Sequence, residues 1–491
     1  MNNAKKWLAA IFIFTLTVRL ILAFIVPNFT YESYFHLRQV EHIASTGLPL
    51  YQDDLSYGGR TFIFLPLFHY LAALFSLILP LELVAKILPN ILLALLTIII
   101  YLISKKISNN EEGSLYSAAI AGFLPILFST NSFVPNTLAL PLIFLAVYSF
   151  LNIKNKKYLF LYIISFLLAS ITNAALSLLV IGLGIYVLLS LIEHKTLSRA
   201  ETELIIASVF FYLWSQFLFF KDVLIEEGPA FIWKNVPPQI LSTYFPTFSI
   251  GEALLLISIV PLVVGFFTIY QSLFHLRKNT LFLIISFVIS TIILGALKLI
   301  AFISALTFIG LLFAIIFSTF YREVMSYLQK TKYLHLKNWI VITFAVLLLA
   351  TTVYPAVDHA LTQDTPSDEV IGAFQWISKH TTPNSGVLAL VEEGHLVTYV
   401  GERRNLMDDR FSLIEDIETR YQDLNSLYAT QFETQAIGLL NQYNLNFIVL
   451  SQKAQEKYDT KRLKYLTPKC FQLVHNEGAK IYESRCRIEK E

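Results

Sequence analysis

The octapeptide YESYFHLR, Tyr31 to Arg38, sets a carboxylate, an imidazole and a guanidinium among aromatic rings. Glu32, His36 and Gln39 are spaced so that a helix would bring all three to one face. Carboxylate and imidazole can exchange a proton with a reacting hydroxyl, and the planar fork of arginine matches the oxygens of a phosphate. Asp53, Asp54, Arg60 and His69 follow, around the turn residues Gly47, Pro49, Gly58 and Gly59. A second group, Glu226 and Glu227, opens a stretch holding Pro229, Pro237, Pro238 and Pro246, which reads as a lid or substrate-contacting loop. A third, Glu392, Glu393 and His395, follows the apolar run GVLALV, at the strand end where α/β sheets often bind ligands. Each group also has a plainer reading: a solvated carboxylate, a histidine that packs, an aspartate that shapes a turn. The crowding of the first group beside apolar sequence favours a site that holds a lipid-linked phosphate and does acid–base chemistry on its head group.

The elements that must position these residues are hydrophobic. The chain has 491 residues, 55% hydrophobic and 15% charged, where a soluble protein has about 25% charged. Its mean hydropathy is +0.60. The composition predicts a polytopic membrane protein. The net charge of +2 says nothing about nucleic acid, but no basic stripe of the kind a phosphate backbone requires is present, so no nucleic-acid partner is expected. Candidate spans are 8–26, 85–104, 115–130, 136–152, 158–172, 174–192, 203–220, 250–273, 280–297, 299–320 and 338–354, eleven in all. The segment 61–80, interrupted by Pro66, His69 and Pro80, reads as a helix at the membrane surface or dipping partly in. The helix expected over the YESYFHLR stretch is amphipathic, with Leu37, Val40 and Ile43 partly facing the bilayer.

Placing the N-terminus inside puts the basic clusters Lys105/Lys106, Lys154/Lys156/Lys157, His194/Lys195/Arg199, Arg277/Lys278 and Arg322/Lys330 on one side. A cell-membrane protein with a cytoplasmic N-terminus follows. Loops 27–84 and 221–249, and everything after Tyr354, then lie outside. Residues 1–356 form the membrane domain in this reading, and 357–491 an extracytoplasmic α/β domain. Within the latter, DEVIGAFQWISKHT and ETQAIGLLNQYN read as helices, GVLALV and NFIVLS as strands, and CFQLVHNEGAKIYES as a hairpin. Cys470 and Cys486 are the two cysteines: buried thiols on one reading, a disulfide if that end faces an oxidising compartment.

With these residues in view, the chain resembles the GT-C superfamily of membrane glycosyltransferases, in particular the oligosaccharyltransferase catalytic subunit. ESYFHLRQVEHIASTGLPL is similar to the first-loop motif of that branch, and SYGGRTFIFLPLFHYLAALF to its juxtamembrane helix. The resemblance implies a polyprenyl-phosphate-linked sugar donor, a protein, lipid or glycan acceptor, and transfer at the outer face. It implies that Glu32 is a general base or a metal and acceptor ligand, and that His36 and Arg38 position the loop or bind phosphate. It also implies a divalent metal, magnesium or manganese. Two departures stand against a full match. Where the branch carries a second acidic motif, this chain has Pro135, Asn136 and Thr137, so a hard cation would need Glu32 with Asp53 or Asp54. Where it carries WWDYG, this chain has Leu390, Val391, Glu392, Glu393 and Gly394, so recognition of an Asn-x-Ser/Thr sequon is not supported. These departures feed a second reading, a non-catalytic relative that binds lipid-linked glycan or partners a true transferase. A transporter fits less well: no repeat is visible, and charge collects in the outer loops.

Overall fold

The computed structural model describes residues 3–226, 228, 250–273 and 279–487. Helix occurs in every one of the eleven apolar stretches, though among the described residues six helices can cross a bilayer by length and composition, or seven if one bent pair counts as a span. Helix α1 (Asn3–Ile25) leads to α2 (Tyr31–Thr46), a short hairpin β1 (Gln52–Asp53) and β2 (Arg60–Thr61), and α3 (Leu67–Ser76). At ten residues α3 is ~15 Å long, too short to span. The membrane domain continues with α4 (Leu81–Ser108), α5 (Glu111–Gly122), α6 (Asn136–Phe150), α7 (Lys156–Ser170), α8 (Ser177–Ile192) and α9 (Arg199–Glu226). After it come α10 (Ile250–Ile257), α11 (Ile259–Gln271), α12 (Asn279–Ala296), the deeply buried α13 (Phe302–Gln329), α14 (Lys337–Leu348) and α15 (Tyr354–Leu361).

Two expected spans depart from straight helices. The 115–130 stretch stops at Gly122 and continues through a 3-10 turn at Pro125–Leu127 into irregular backbone up to Pro135. Proline cannot extend α5, and backbone freed at membrane depth needs other partners. Arg19, fully buried in α1, supplies one by donating to the Leu127 carbonyl at 2.7 Å and to Asn90 Oδ1 at 3.1 Å. Asn90 Nδ2 donates to the Thr130 carbonyl, and Ser33 Oγ accepts from the Phe133 amide. The 250–273 stretch bends by 85° at Ser258, whose φ is +70°.

Beyond α15 lies a five-stranded mixed sheet with strand order β4-β3-β5-β7-β6. Strands β3 (Gly386–Leu388) and β4 (Arg404–Asn405) are parallel, as are β3 and β5 (Leu445–Ser451); β6 (Phe471–His475) and β7 (Ala479–Ser484) form the expected hairpin, with β7 antiparallel to β5. Helices α16 (Asp368–His380), α17 (Gly394–Tyr399), α18 (Ile417–Ala429) and α19 (Glu433–Gln442) surround it, and α20 (Gln452–Lys457) follows β5. Only the first part of GVLALV is strand. Cys470 and Cys486 are joined by a disulfide, with Cα atoms 5.0 Å apart.

The first loop is not a helix laid on lipid. Leu37, Val40 and Ile43, expected to face the bilayer in part, are at most 4% exposed and pack with Phe68, Val84, Phe374 and Val397. Protein from both the spans and the sheet domain takes the place of lipid around α2. Tyr57, from the turn between β1 and β2, is buried in the core of the sheet domain beside Leu388 and Leu406.

Candidate active site between the first loop and the sheet domain

Glu32 lies in the first turn of α2, where the helix dipole favours a negative charge. Gly47 ends the helix in the left-handed conformation, at φ +79°, and its amide donates to the Ile43 carbonyl. The Glu32 carboxylate accepts from Arg410 Nη2 at 2.8 Å and lies 3.8 Å from His36 Nε2. The same Arg410 nitrogen is 3.2 Å from His36 Nε2, and His36 Nδ1 is 2.8 Å from His69 Nε2. A guanidinium only donates, so His36 Nε2 accepts. His36 Nδ1 then carries the proton and donates to His69. The proton of His69 is left on Nδ1, which has no partner among the described residues.

The electrostatics follow from that chain. Burial pushes the Glu32 carboxyl up, but the Arg410 guanidinium at 2.8 Å outweighs it and holds the carboxyl below its ordinary value. Burial depresses His36 to about 4, against the pull of Glu32, and holds His69 well below the ordinary histidine value. Both rings are therefore neutral near neutrality, beside a paired carboxylate.

Arg410 is held from behind. The buried Arg60 donates to the Arg410 and Ser412 carbonyls and lies 3.7 Å from Asp408. Asp408, fully buried, accepts from Ser56 Oγ at 2.6 Å, Asn405 Nδ2 at 3.1 Å and the Arg410 amide at 3.0 Å. His395 Nε2 is 2.7 Å from Asp409, and the His395 and Arg410 side chains both pack on the Phe35 ring. Burial lowers His395, but Asp409 and Asp408 outweigh it and raise it above its ordinary value; burial raises Asp408, but His395 and Arg60 bring it below. Gly394 is required here, because a Cβ would lie 2.3 Å from the Met407 carbonyl.

On its other side Glu32 meets a cavity of about 390 Å³. Tyr31, Ser129, Asn136, His359 and Asp364 form its polar end; Leu93, Leu140, Ile303 and Phe308 carry it down between the spans. Ser129 Oγ lies 3.1 Å from His359 Nε2, and Asn136 Oδ1 accepts from Asn173 Nδ2 at 2.6 Å. Lys453 reaches over from the sheet domain, pairing with Asp364 at 2.6 Å with its Nζ 4.3 Å from the centre of the Tyr31 ring.

The structure thus brings Glu32, His36, Arg60, His69 and His395 into one contiguous group. It does not bring Arg38, Asp53 and Asp54 into it. Arg38 forms a two-pronged pair with Asp53 at 2.5 and 2.8 Å, and Asp54 is exposed on the hairpin. Gln39, expected on the Glu32 face, exchanges hydrogen bonds with the Leu50 backbone. Glu226 is exposed at the end of α9, and Glu227 lies outside the described residues. Glu392 pairs with Lys457 at 3.4 Å. Glu393 is fully buried, and burial raises it to about 7 against its bond to the Leu390 amide. Sequence reasoning missed Ser129, His359, Asp408, Asp409 and Arg410. For the last three, the charges of MDDR following apolar Leu406 were the available signal.

A hard cation does not fit at Glu32. It would meet one carboxylate already held by a guanidinium, while Asp53 is pinned by Arg38 and the second expected position is the amide of Asn136. His395, Asp408 and Asp409 have the donor set of a metal site, with ligating atoms within 4.8 Å of one another. The same atoms already serve Ser56, Asn405 and each other, with Arg60 alongside.

No protein-family model matches the chain, and no curated protein matches its sequence. Solved structures do. The oligosaccharyltransferase of Archaeoglobus fulgidus in its apo form aligns with 91% of this chain and 70% of its own, with TM-score 0.71 and 13% identity. Its complex with an inhibitory peptide and a dolichol-phosphate gives TM-score 0.70 at 14% identity over the same shares, and its complex with Zn and sulfate 0.65 at 14% over 96% and 72%. ArnT from Cupriavidus metallidurans bound to undecaprenyl phosphate aligns over 97% of this chain and 98% of its own, with TM-score 0.52 and 12% identity.

Proposed function

We propose, from a fold shared with two GT-C membrane glycosyltransferases, that this protein transfers a sugar or glycan from a polyprenyl-phosphate-type lipid to an acceptor at the outer membrane face. The observation that carries the reading is the position of Glu32. It stands between an apolar-walled cavity descending among the spans and an arginine presented by the sheet domain. The cavity walls suit a polyprenyl tail, and its polar rim suits a phosphate.

The reaction would use the Glu32–Arg410 pair as follows. A guanidinium binds phosphate oxygens in the same two-pronged way that it binds a carboxylate. An arriving donor phosphate competes for Arg410, and Glu32, losing that partner, becomes more basic. The acceptor's oxygen or nitrogen attacks the anomeric carbon while the bond from that carbon to the phosphate oxygen breaks. The proton passes to Glu32, and the phosphate leaves on its lipid, stabilised by Arg410. One displacement inverts the anomeric centre.

The paired state of Glu32 and the amide at Asn136 also favour a second reading, a relative that binds lipid-linked glycan without transferring it. One experiment separates the two. The protein is reconstituted with lipid-linked sugars extracted from its source membranes, and transfer is followed by mass spectrometry for wild type and Glu32→Gln. Transfer by wild type that falls by about 10²-fold or more in the variant is expected. Donor binding by both forms with transfer by neither would establish the binding reading.

A further inference from the structure

We propose that a second cavity, at the membrane face opposite the sheet domain, binds a phosphate-bearing anion. This cavity is about 800 Å³, against about 390 Å³ for the one at Glu32. It opens where α6 and α8 end and where α7 and α9 begin. Lys106, Lys154 and Lys195 line it, with Glu201 as its single carboxylate. Glu201 is already engaged, accepting from the Ser198 amide at 2.7 Å. Lys105 is paired with Glu111 at 2.6 Å, while its neighbour Lys106 turns to the cavity; neither Lys106 nor Lys154 forms an ion pair among the described residues. Lys195 is fixed at the wall, its Nζ 3.9 Å from the centre of the Phe282 ring.

Lys106, Lys154 and Lys195 bring three positive charges to one open cleft, where a bound anion would meet all three at once. Two long helices, α7 and α9, begin at this cavity and add the partial positive charge of their first turns. Hydroxyls of Ser190, Thr196 and Ser198 offer further donors. Several point charges spread around hydroxyl donors suit the tetrahedral oxygens of a phosphate better than a single carboxylate. Basic pockets between spans at a bilayer surface hold phosphate head groups for this reason. The same chemistry could come from an anionic lipid or from free phosphate.

The test uses the full-length protein in detergent with two probes, didecanoyl phosphatidic acid and inorganic pyrophosphate. Lipid retention is read by native mass spectrometry and binding by the rise in thermal unfolding temperature. Lys106→Gln, Lys154→Gln and Lys195→Gln are combined in one variant. A second variant, Lys156→Gln with Lys157→Gln, removes two exposed charges beside the cavity that do not line it. Wild type and the second variant should retain phosphatidic acid, and the triple variant should bind it on the order of a hundredfold more weakly. If pyrophosphate displaces the lipid, the phosphate alone is the ligand; if it does not, the lipid is, and either result supports the site. Equal retention by wild type and the triple variant, or an equal loss in the second variant, would overturn it. Because the three lysines lie away from Glu32, failure here leaves the glycosyl-transfer reading untouched.

Discussion

Glu32 is an anion held by Arg410, and its chemistry depends on what releases it. If Arg410 supplies the positive charge that the reaction needs, chelators should leave transfer unchanged, while Arg410→Gln should abolish it; loss of transfer in EDTA and recovery on adding zinc or manganese would refute this. The buried histidines set the pH response. His36 has an ordinary value of 6.5 and is depressed to about 4, so between those values the unfolded chain takes up a proton that the folded chain refuses. The stability that it contributes is present above 6.5 and is lost as pH falls toward 4. His69 acts in the same direction, and Glu32 adds a further loss as pH drops from 4.5 toward 2. His395, raised, works the other way and weakens the fold as pH climbs above 6.5. Unfolding free energy should therefore fall on acidification below 6.5, by up to ~1.4 kcal/mol per pH unit for each of His36 and His69, and the unfolding temperature should fall with it; His36→Gln with His69→Gln should flatten the slope. Glu32 and His36 were legible as a pair because a helix repeats every 3.6 residues. Arg410 was not, because a contact across 378 positions leaves no local period.

The elements were the most legible level, since apolar runs and turn residues report local structure directly. Where they misled, a tertiary partner was responsible: the chain beyond the C-terminal end of α5 leaves the helix where Arg19 and Asn90 can satisfy its backbone, and α2 is covered by protein rather than lipid. The segment from Asp408 to Ser412 has little regular structure of its own and depends on Arg60. Arg60→Met should cost up to about 3–5 kcal/mol, because it leaves the buried Asp408 charge with His395 as its remaining cationic partner. Denaturant unfolding monitored on the sheet domain measures this, and a loss below about 1 kcal/mol would mean that Ser56 and Asn405 suffice. The disulfide spans a separation of 16 residues, a loop whose closure is worth about 3 kcal/mol. Reduction, or Cys470→Ser with Cys486→Ser, should lower the unfolding temperature of the sheet domain while leaving donor binding at the distant Glu32 cavity intact.

At the scale of the whole molecule, the candidate site belongs to no part alone: the first loop contributes Glu32, the spans most of the cavity wall, and the sheet domain Arg410 and Lys453. Thr307 lies on the cavity wall in α13, so Thr307→Trp should fill part of the space and weaken donor binding about tenfold or more without moving the Glu32 pair. Titration with a short-chain polyprenyl phosphate reads this, and unchanged affinity would place the lipid elsewhere. The burial of Tyr57 has a further consequence, for biosynthesis. This side chain leaves the first loop early in translation, yet its hydroxyl bonds the Asp408 carbonyl and its amide bonds Asn405, about 350 residues later. The nascent first loop must therefore wait, with an unfilled aromatic and an unpaired Arg60, until the last quarter of the chain has emerged. A ribosome-bound chain halted before Asn405 should expose this loop to protease, and protection should arrive only with the sheet that Tyr57 completes.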